Sequence, residues 1–152
     1  MLSKGFGSER GSALVEAAFA LPLLALIVLG TVDFGRLFYR TMAVTHAARA
    51  GAQYGAQNSA VATNDSTMRD VAIDDATAHD ILAGEISAQA EHTCYCFNGA
   101  TETSISCTAG GCPGQLRVYA TVTTRSSFST VVNYPGIPRT VPIVRSARMR
   151  AQ

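Results

Sequence analysis

The sequence has no tryptophan and few charged residues. Only 15% of its 152 residues are Asp, Glu, Lys or Arg, well below the roughly 25% typical of soluble domains. The shortage is local, because no charged residue occurs from Ala17 to Val32. The net charge of +1 argues against a polyanion-binding protein, and the hydrophobic content of 47% argues against long disordered segments. The uncharged run also argues against a purely cytosolic enzyme.

Motifs for catalysis and for nucleotide or nucleic-acid binding are also missing. The sequence contains no G-x-S-x-G motif, and the glycine-rich segment 109–114 lacks the Lys-Ser/Thr pair of a P-loop. The three histidines are far apart in the sequence and lack a nucleophile motif, and no zinc finger or basic patch with interleaved aromatic residues occurs. We therefore expect no enzymatic activity, cofactor, metal ion, small-molecule substrate or nucleic-acid partner.

What the sequence does have is one long apolar stretch, from Ala13 to Val32. As a helix, these 20 residues would span about 30 Å, the thickness of the hydrocarbon core of a bilayer. Pro22 lies inside the stretch, and membrane helices tolerate proline better than soluble ones. The basic residues Lys4 and Arg10 precede it, which favours a cytoplasmic N-terminus.

A cleaved secretory signal peptide is the alternative interpretation of the apolar stretch. It would require a cleavage site with small residues after the apolar run. The run is followed instead by the sequence TVDFGRLFYR, which is bulky and has no clear A-x-A site. The pattern therefore favours an uncleaved membrane helix.

Glu16 is the one charged residue within the apolar stretch. A carboxylate costs about 2.5–3.5 kcal/mol near the bilayer centre and less near the interface, so Glu16 either lies at headgroup level or has a positively charged partner. A glycine (Gly11) follows a short charged leader, and Glu16 is five residues further on. This pattern is typical of a type IV prepilin cleavage site. Cleavage between Gly11 and Ser12 would create a cationic α-amino group that Glu16 of a neighbouring subunit can neutralise.

Further motifs accompany the Gly11-to-Glu16 spacing: Leu21-Pro22, Asp33-Phe34-Gly35-Arg36 and the small residues from Ala47 to Ala52. With these motifs the N-terminal third resembles the TadE-like pseudopilins of tight-adherence (Tad, or Flp-type) pilus systems. The resemblance covers roughly residues 10–57, with a weaker similarity at residues 144–149. It implies a type IV pilin-like fold, a structural minor pilin role, and as partners the membrane, a prepilin peptidase, other pilins and the pilus assembly platform.

The helix is predicted to continue beyond the membrane to about residue 57. Apolar residues recur near helical spacing, and a helix over 12–57 would be about 69 Å long. Small residues follow at four-residue steps and would allow close helix packing: Ala47, Ala48, Gly51, Ala52, Gly55 and Ala56. The sequence leaves open whether this small-residue stripe packs on its own domain or on another subunit.

A second helix is predicted over about 67–90, capped by Asp65 or Ser66. Eight acidic residues and one arginine lie between Asp65 and Glu102, whereas the chain from Gly114 onward has six arginines and no acid. We expect the acidic helix to pack against the basic segment of the same chain, with opposite charges paired; the alternative is charge pairing between subunits.

Two strands are predicted near the C-terminus. In residues 115–124 and 140–144 apolar and polar residues alternate, as is typical of strands, and Pro142 places the second strand at a sheet edge.

Four cysteines fall within a short segment: Cys94, Cys96, Cys107 and Cys112. A Cys₄ zinc site is disfavoured, because only one residue separates the first two and paired zinc ligands usually have two to four between them. The segment is also predicted to lie outside the cytoplasm, where disulfides persist. We therefore expect two disulfides. A nested pairing (94–112, 96–107) suits a hairpin, a crossed pairing stays open, and a Cys94–Cys96 bond is the least favourable because its ring is strained.

Together these features predict an α+β protein with a long N-terminal transmembrane helix and a small helix-plus-antiparallel-sheet domain. The expected segments are a leader (1–11), a transmembrane half-helix (12–32), an extramembrane half-helix (33–57) and an extracytoplasmic domain (58–152). The expected location is the bacterial inner membrane in a single pass, or the pilus. The alternative function is a membrane-anchored extracytoplasmic binding domain or adhesin that never joins a filament.

Overall fold

A computed structural model of the chain describes residues 9–108 and 112–152. Most of the predicted leader and part of the glycine-rich segment 109–114 therefore lie outside the described residues. The fold is α+β, as predicted. The helices are α1 (Glu9–Gly55), α2 (Ser59–Ala62) and α3 (Asp65–Ala78), and a 3₁₀ turn (Ala83–Glu85) precedes the sheet. The strands are β1 (Ile86–Phe97), β2 (Glu102–Ile105), β3 (Gln115–Ser129) and β4 (Thr140–Arg150).

Helix α1 is continuous over 47 residues and contains Pro22, which makes it about 70 Å long. Its first half, through Val32, makes little contact with the rest of the chain, and its apolar side chains are exposed. Its second half packs against the domain, where Val44, Ala47 and Ala52 are fully buried. One helix therefore supplies both the apolar stem and part of the domain core.

Helix α3 is shorter than predicted. It begins after Asn64, whose side chain accepts a hydrogen bond from the Thr67 amide, so neither Asp65 nor Ser66 is the cap. It ends at Ala78, and Asp80 takes a positive φ of 60°. This backbone conformation ends helices and is tolerated by Asp. Residues 86–90, which were assigned to the helix, belong to β1.

The four strands form one antiparallel sheet in the order β2-β1-β3-β4. β3 and β4 run further than predicted, to Ser129 and Arg150, because their apolar alternation weakens towards the ends while their pairing continues. Pro142 lies on β4, the edge strand that the proline predicted. The inner face of the sheet covers α1 and α3 with small and β-branched side chains: Ala88, Val118, Ala120, Val122 and Ile143.

The predicted match between the acidic helix and the basic strands is wrong. Arg145 is at an inner-face position, on the exposed edge strand. The other strand arginines lie on the outer face of the sheet, because residues alternate between faces and the inner face is mostly apolar. There Arg148 stacks on Tyr119, with 4.3 Å from its guanidinium carbon to the ring centroid. Arg117 pairs with Glu102, and this hydrogen bond lowers the pKa of the Glu102 carboxyl. Among the described residues, no ion pair joins an acid of α3 to a strand arginine.

Candidate membrane and assembly site

The exposed half of α1 has the properties of a membrane-spanning helix. Within the described residues, it is the one helix long and apolar enough to cross a membrane, with a mean hydropathy of 2.3 over its most apolar window. No part of that window is buried against the rest of the chain. Phe19 and Leu14 are 80% and 73% exposed. Large apolar surfaces of this kind mark contacts with lipid or with other proteins.

The predicted cleavage and counter-charge residues all lie at the start of this stem. Gly11, Ser12 and Glu16 are helical and exposed. Among the described side chains, Glu16 has no hydrogen-bond or ion-pair partner. An unpaired carboxylate in an apolar environment is unfavourable, so Glu16 is available for a cation supplied from outside the described fold.

The small-residue stripe of α1 packs against α3 and the sheet of its own domain. A Cβ added at Gly51 would lie 2.6 Å from the Met68 carbonyl oxygen and 3.1 Å from the Ala72 Cβ. At Gly55 it would meet the Met68 sulfur, and the Ala120 Cβ at 2.6 Å. The stripe thus lets α3 and the sheet approach the helix closely, which is the first of the two alternatives that the sequence left open.

The two disulfides are Cys94–Cys107 and Cys96–Cys112, with Cα–Cα distances of 5.2 and 5.4 Å. Two disulfides were predicted with nested and crossed pairings both left open, and the structure has the crossed pairing. The hairpin register explains why. Cys94 lies opposite Ile105, so Cys107 lies beyond Cys94 and away from Cys96. At the start of β3, Leu116 pairs with Cys96, and Cys112, four residues before Leu116, bonds to Cys96.

The histidines are not all separate in the fold. The rings of His46 and His79 lie 6.1 Å apart between centroids, and His92 Nδ1 is 2.9 Å from a carboxylate oxygen of Asp65. In the part of the chain that the structure describes, no group of three or more His, Cys, Asp or Glu side chains is arranged to hold a metal ion.

Asp33 is a site residue that sequence reasoning missed. It lies one residue beyond the uncharged stretch, yet it is only 5% exposed. Both of its carboxylate oxygens accept hydrogen bonds from the Val131 amide, at 3.1 Å, and Arg36 pairs with it from the next turn. The Val131 hydrogen bond is the main reason that the pKa of Asp33 lies below its ordinary value of 3.8. Asp33 therefore fastens the loop between β3 and β4 to the end of the stem.

This contact predicts an acid-sensitive loop. Because the folded-state pKa of Asp33 is lowered, its contribution is present above pH 3.8 and is lost as the pH falls through the folded value. We expect Asp33→Asn to reduce the hydrogen-exchange protection of the Val131 amide at neutral pH and to abolish its acid dependence. Asp74→Asn, on the exposed side of α3, is the control. Wild-type protection of Val131 in Asp33→Asn would contradict this role.

Comparison with known proteins agrees with the resemblance predicted from the sequence. Residues 11–53 match the family model described as TadE-like protein. The match covers the stem, Glu16, Asp33 and most of the small-residue stripe, and it confirms the predicted resemblance over that segment. No curated protein and no solved structure matches the chain.

Proposed function

We propose that this chain is a minor pilin, or pseudopilin, of a Tad-type pilus system, with a structural role in pilus assembly or surface attachment. The observation that carries the proposal is the exposed Glu16, which has no partner among the described side chains, on an apolar stem that the described domain leaves uncovered. The family match over residues 11–53 supports it. The resemblance implies a structural protein rather than an enzyme.

In this proposal a prepilin peptidase cleaves between Gly11 and Ser12 at the cytoplasmic face of the inner membrane. The new Ser12 amine is cationic near neutral pH. Glu16 of one subunit neutralises the amine of its neighbour, which removes the cost of two unpaired charges in an apolar environment. The exposed apolar stem packs against other pilins or the assembly platform, and the α+β domain remains outside the cytoplasm.

The second candidate, a membrane-anchored binding domain, needs the same apolar stem but no partner for Glu16. Glu16→Gln therefore separates the two functions, because it removes the charge and keeps the shape of the side chain. We expect the variant to insert into membranes normally. We also expect it to co-purify with other pilins at least about tenfold less than the wild type, since losing one partner of a buried ion pair costs several kcal/mol.

Glu91→Gln, the same change on the exposed sheet face, is the matched control. The intact mass of the recovered protein, from cells with and without the peptidase, reports cleavage in the same samples. A chain that begins before Ser12 in both strains would contradict processing. Unchanged pilin recovery with Glu16→Gln would favour the anchored binding domain.

A further inference from the structure

The loop between β3 and β4, residues 130–139, lies beside the end of the apolar stem. Its Val131 amide is bonded to Asp33, one residue after the uncharged run ends at Val32. A cleft of about 190 Å³ separates loop and helix, and its lining includes Gly30, Phe34 and Ile137. The loop thus reaches back alongside the last turn of the apolar run. The position of the loop along the bilayer normal is therefore fixed by helix α1.

The surface of the loop is apolar on the side that continues the stem. Val131 and Ile137 are 60% and 52% exposed, and Phe34 on the adjacent helix turn is 72% exposed. Single exposed apolar side chains are ordinary in soluble proteins. These three differ because they adjoin a helix surface that carries no charged residue from Ala17 to Val32. The one carboxylate at this level, Asp33, is covered.

The backbone of the loop is also suited to partial dehydration. Pro135 and Pro138 have no N–H group to satisfy. The amides of Thr130, Val131 and Ile137 donate to Arg139, Asp33 and Tyr134 respectively. Gly136, with a φ of +82°, allows the turn between the prolines. Unpaired backbone groups are costly near lipid, and five of the ten loop residues have no free N–H to expose, since three donate and two are prolines.

Cations flank the apolar side chains of the loop. Arg139 ends the loop and is exposed, and the Arg36 side chain is 51% exposed on the helix. If residues 13–32 fill the hydrocarbon core, Asp33 and the loop fall in the headgroup layer, which is about 5–8 Å thick on each side. Phosphate groups there attract arginine side chains, while apolar side chains reach the start of the acyl chains.

We infer that the β3–β4 loop is a second membrane contact, with Val131 and Ile137 in the interfacial layer of the phospholipid bilayer. The inference rests on the membrane-spanning stem of the proposed function. It adds that the folded domain is held down on the bilayer surface at two points, the helix and the loop, so that its orientation is restricted.

The absence of tryptophan from the sequence allows a direct test with single introduced tryptophans. The full chain is placed in phospholipid nanodiscs whose lipids carry bromine near the headgroup end of the acyl chains. Ile137→Trp reports the loop, and Phe19→Trp reports the stem. Leu116→Trp is the matched control, since Leu116 is 49% exposed but lies twelve residues from Phe128 along β3, about 40 Å away.

We expect brominated lipid to quench the tryptophan at position 137 at least about twofold more than the one at 116, with a blue-shifted emission. Equal quenching at positions 137 and 116, with quenching at 19, would overturn the loop contact and leave the anchored stem intact. A blue-shifted but unquenched tryptophan at 137 would indicate burial against protein and would also overturn it. Absence of quenching at position 19 would instead remove the membrane-spanning stem on which both proposals depend.

Discussion

Replacing Cys94 and Cys107 together by alanine is expected to lower the free energy of unfolding of the α+β domain by about 3 kcal/mol. The bond closes a loop with a sequence separation of 13, and opening it increases the entropy of the unfolded chain. The folded state suffers as well, because β2 has only four residues and so short an edge strand is marginally stable alone. Denaturant unfolding of the full chain in detergent measures the loss.

The control for the disulfide variant is Ser104→Ala, which changes an exposed β2 side chain and leaves both bonds in place. We expect it to unfold within about 0.5 kcal/mol of the wild type. Peptide mapping without reduction should join Cys94 to Cys107 and Cys96 to Cys112 in the wild type. Fragments joining Cys94 to Cys112 would restore the nested pairing, and an unchanged stability of the double variant would contradict the role assigned to the bond.

Gly51→Leu is expected to destabilise the domain strongly. Even its Cβ would lie 2.6 Å from the Met68 carbonyl oxygen, a backbone atom that can move only if α3 moves. Overpacking of this kind costs about 1–3 kcal/mol and occasionally more, and the four-carbon side chain places this variant at the upper end. The same denaturant experiment should show the change as a lower midpoint.

Gly35→Leu makes the same substitution in the same helix, at a position where a Cβ meets nothing within 4 Å. We expect it to be neutral or to gain up to about 1 kcal/mol, since leucine favours helices more than glycine does. The two variants should therefore move the midpoint in opposite directions, or Gly51→Leu alone should lower it. An equal decrease of the midpoint in both variants would mean that any larger side chain in α1 destabilises the protein. It would contradict the specific role of the close contact between Gly51 and α3.

Local signals were sufficient to predict α1 and the parts of the sheet with strong alternation. The apolar stretch and the small-residue steps are properties of neighbouring residues, and both appear in the structure where the sequence placed them. The end of α3 was missed because Asp80 is a weaker stop signal than glycine. The extent of β4 was missed because Arg145 interrupts the apolar series on its inner face while its hydrogen bonds to β3 continue.

Contacts between residues far apart in the sequence could not be predicted. Asp33 and Val131 are 98 residues apart, and nothing near Asp33 in the sequence indicates which backbone amide will donate a hydrogen bond to its carboxylate. The crossed disulfides depend on the hairpin register and on the path by which the chain returns from Cys107 to β3. The charge arrangement failed for a related reason. The net charge of a segment does not indicate which face of the sheet each arginine occupies, and four of the five strand arginines lie on the outer face, away from α3.

The continuity of α1 has a mechanical consequence. A force applied along the stem travels through one unbroken helix into the part where Val44 and Ala52 form the core. It therefore loads the packed seam between helix and sheet in shear, along its whole length, rather than peeling it open from one end. The two disulfides brace the opposite end of the sheet, at Cys94 and Cys96. Because shear loads many contacts at once, this arrangement resists a pull on the stem more than a seam that opens contact by contact.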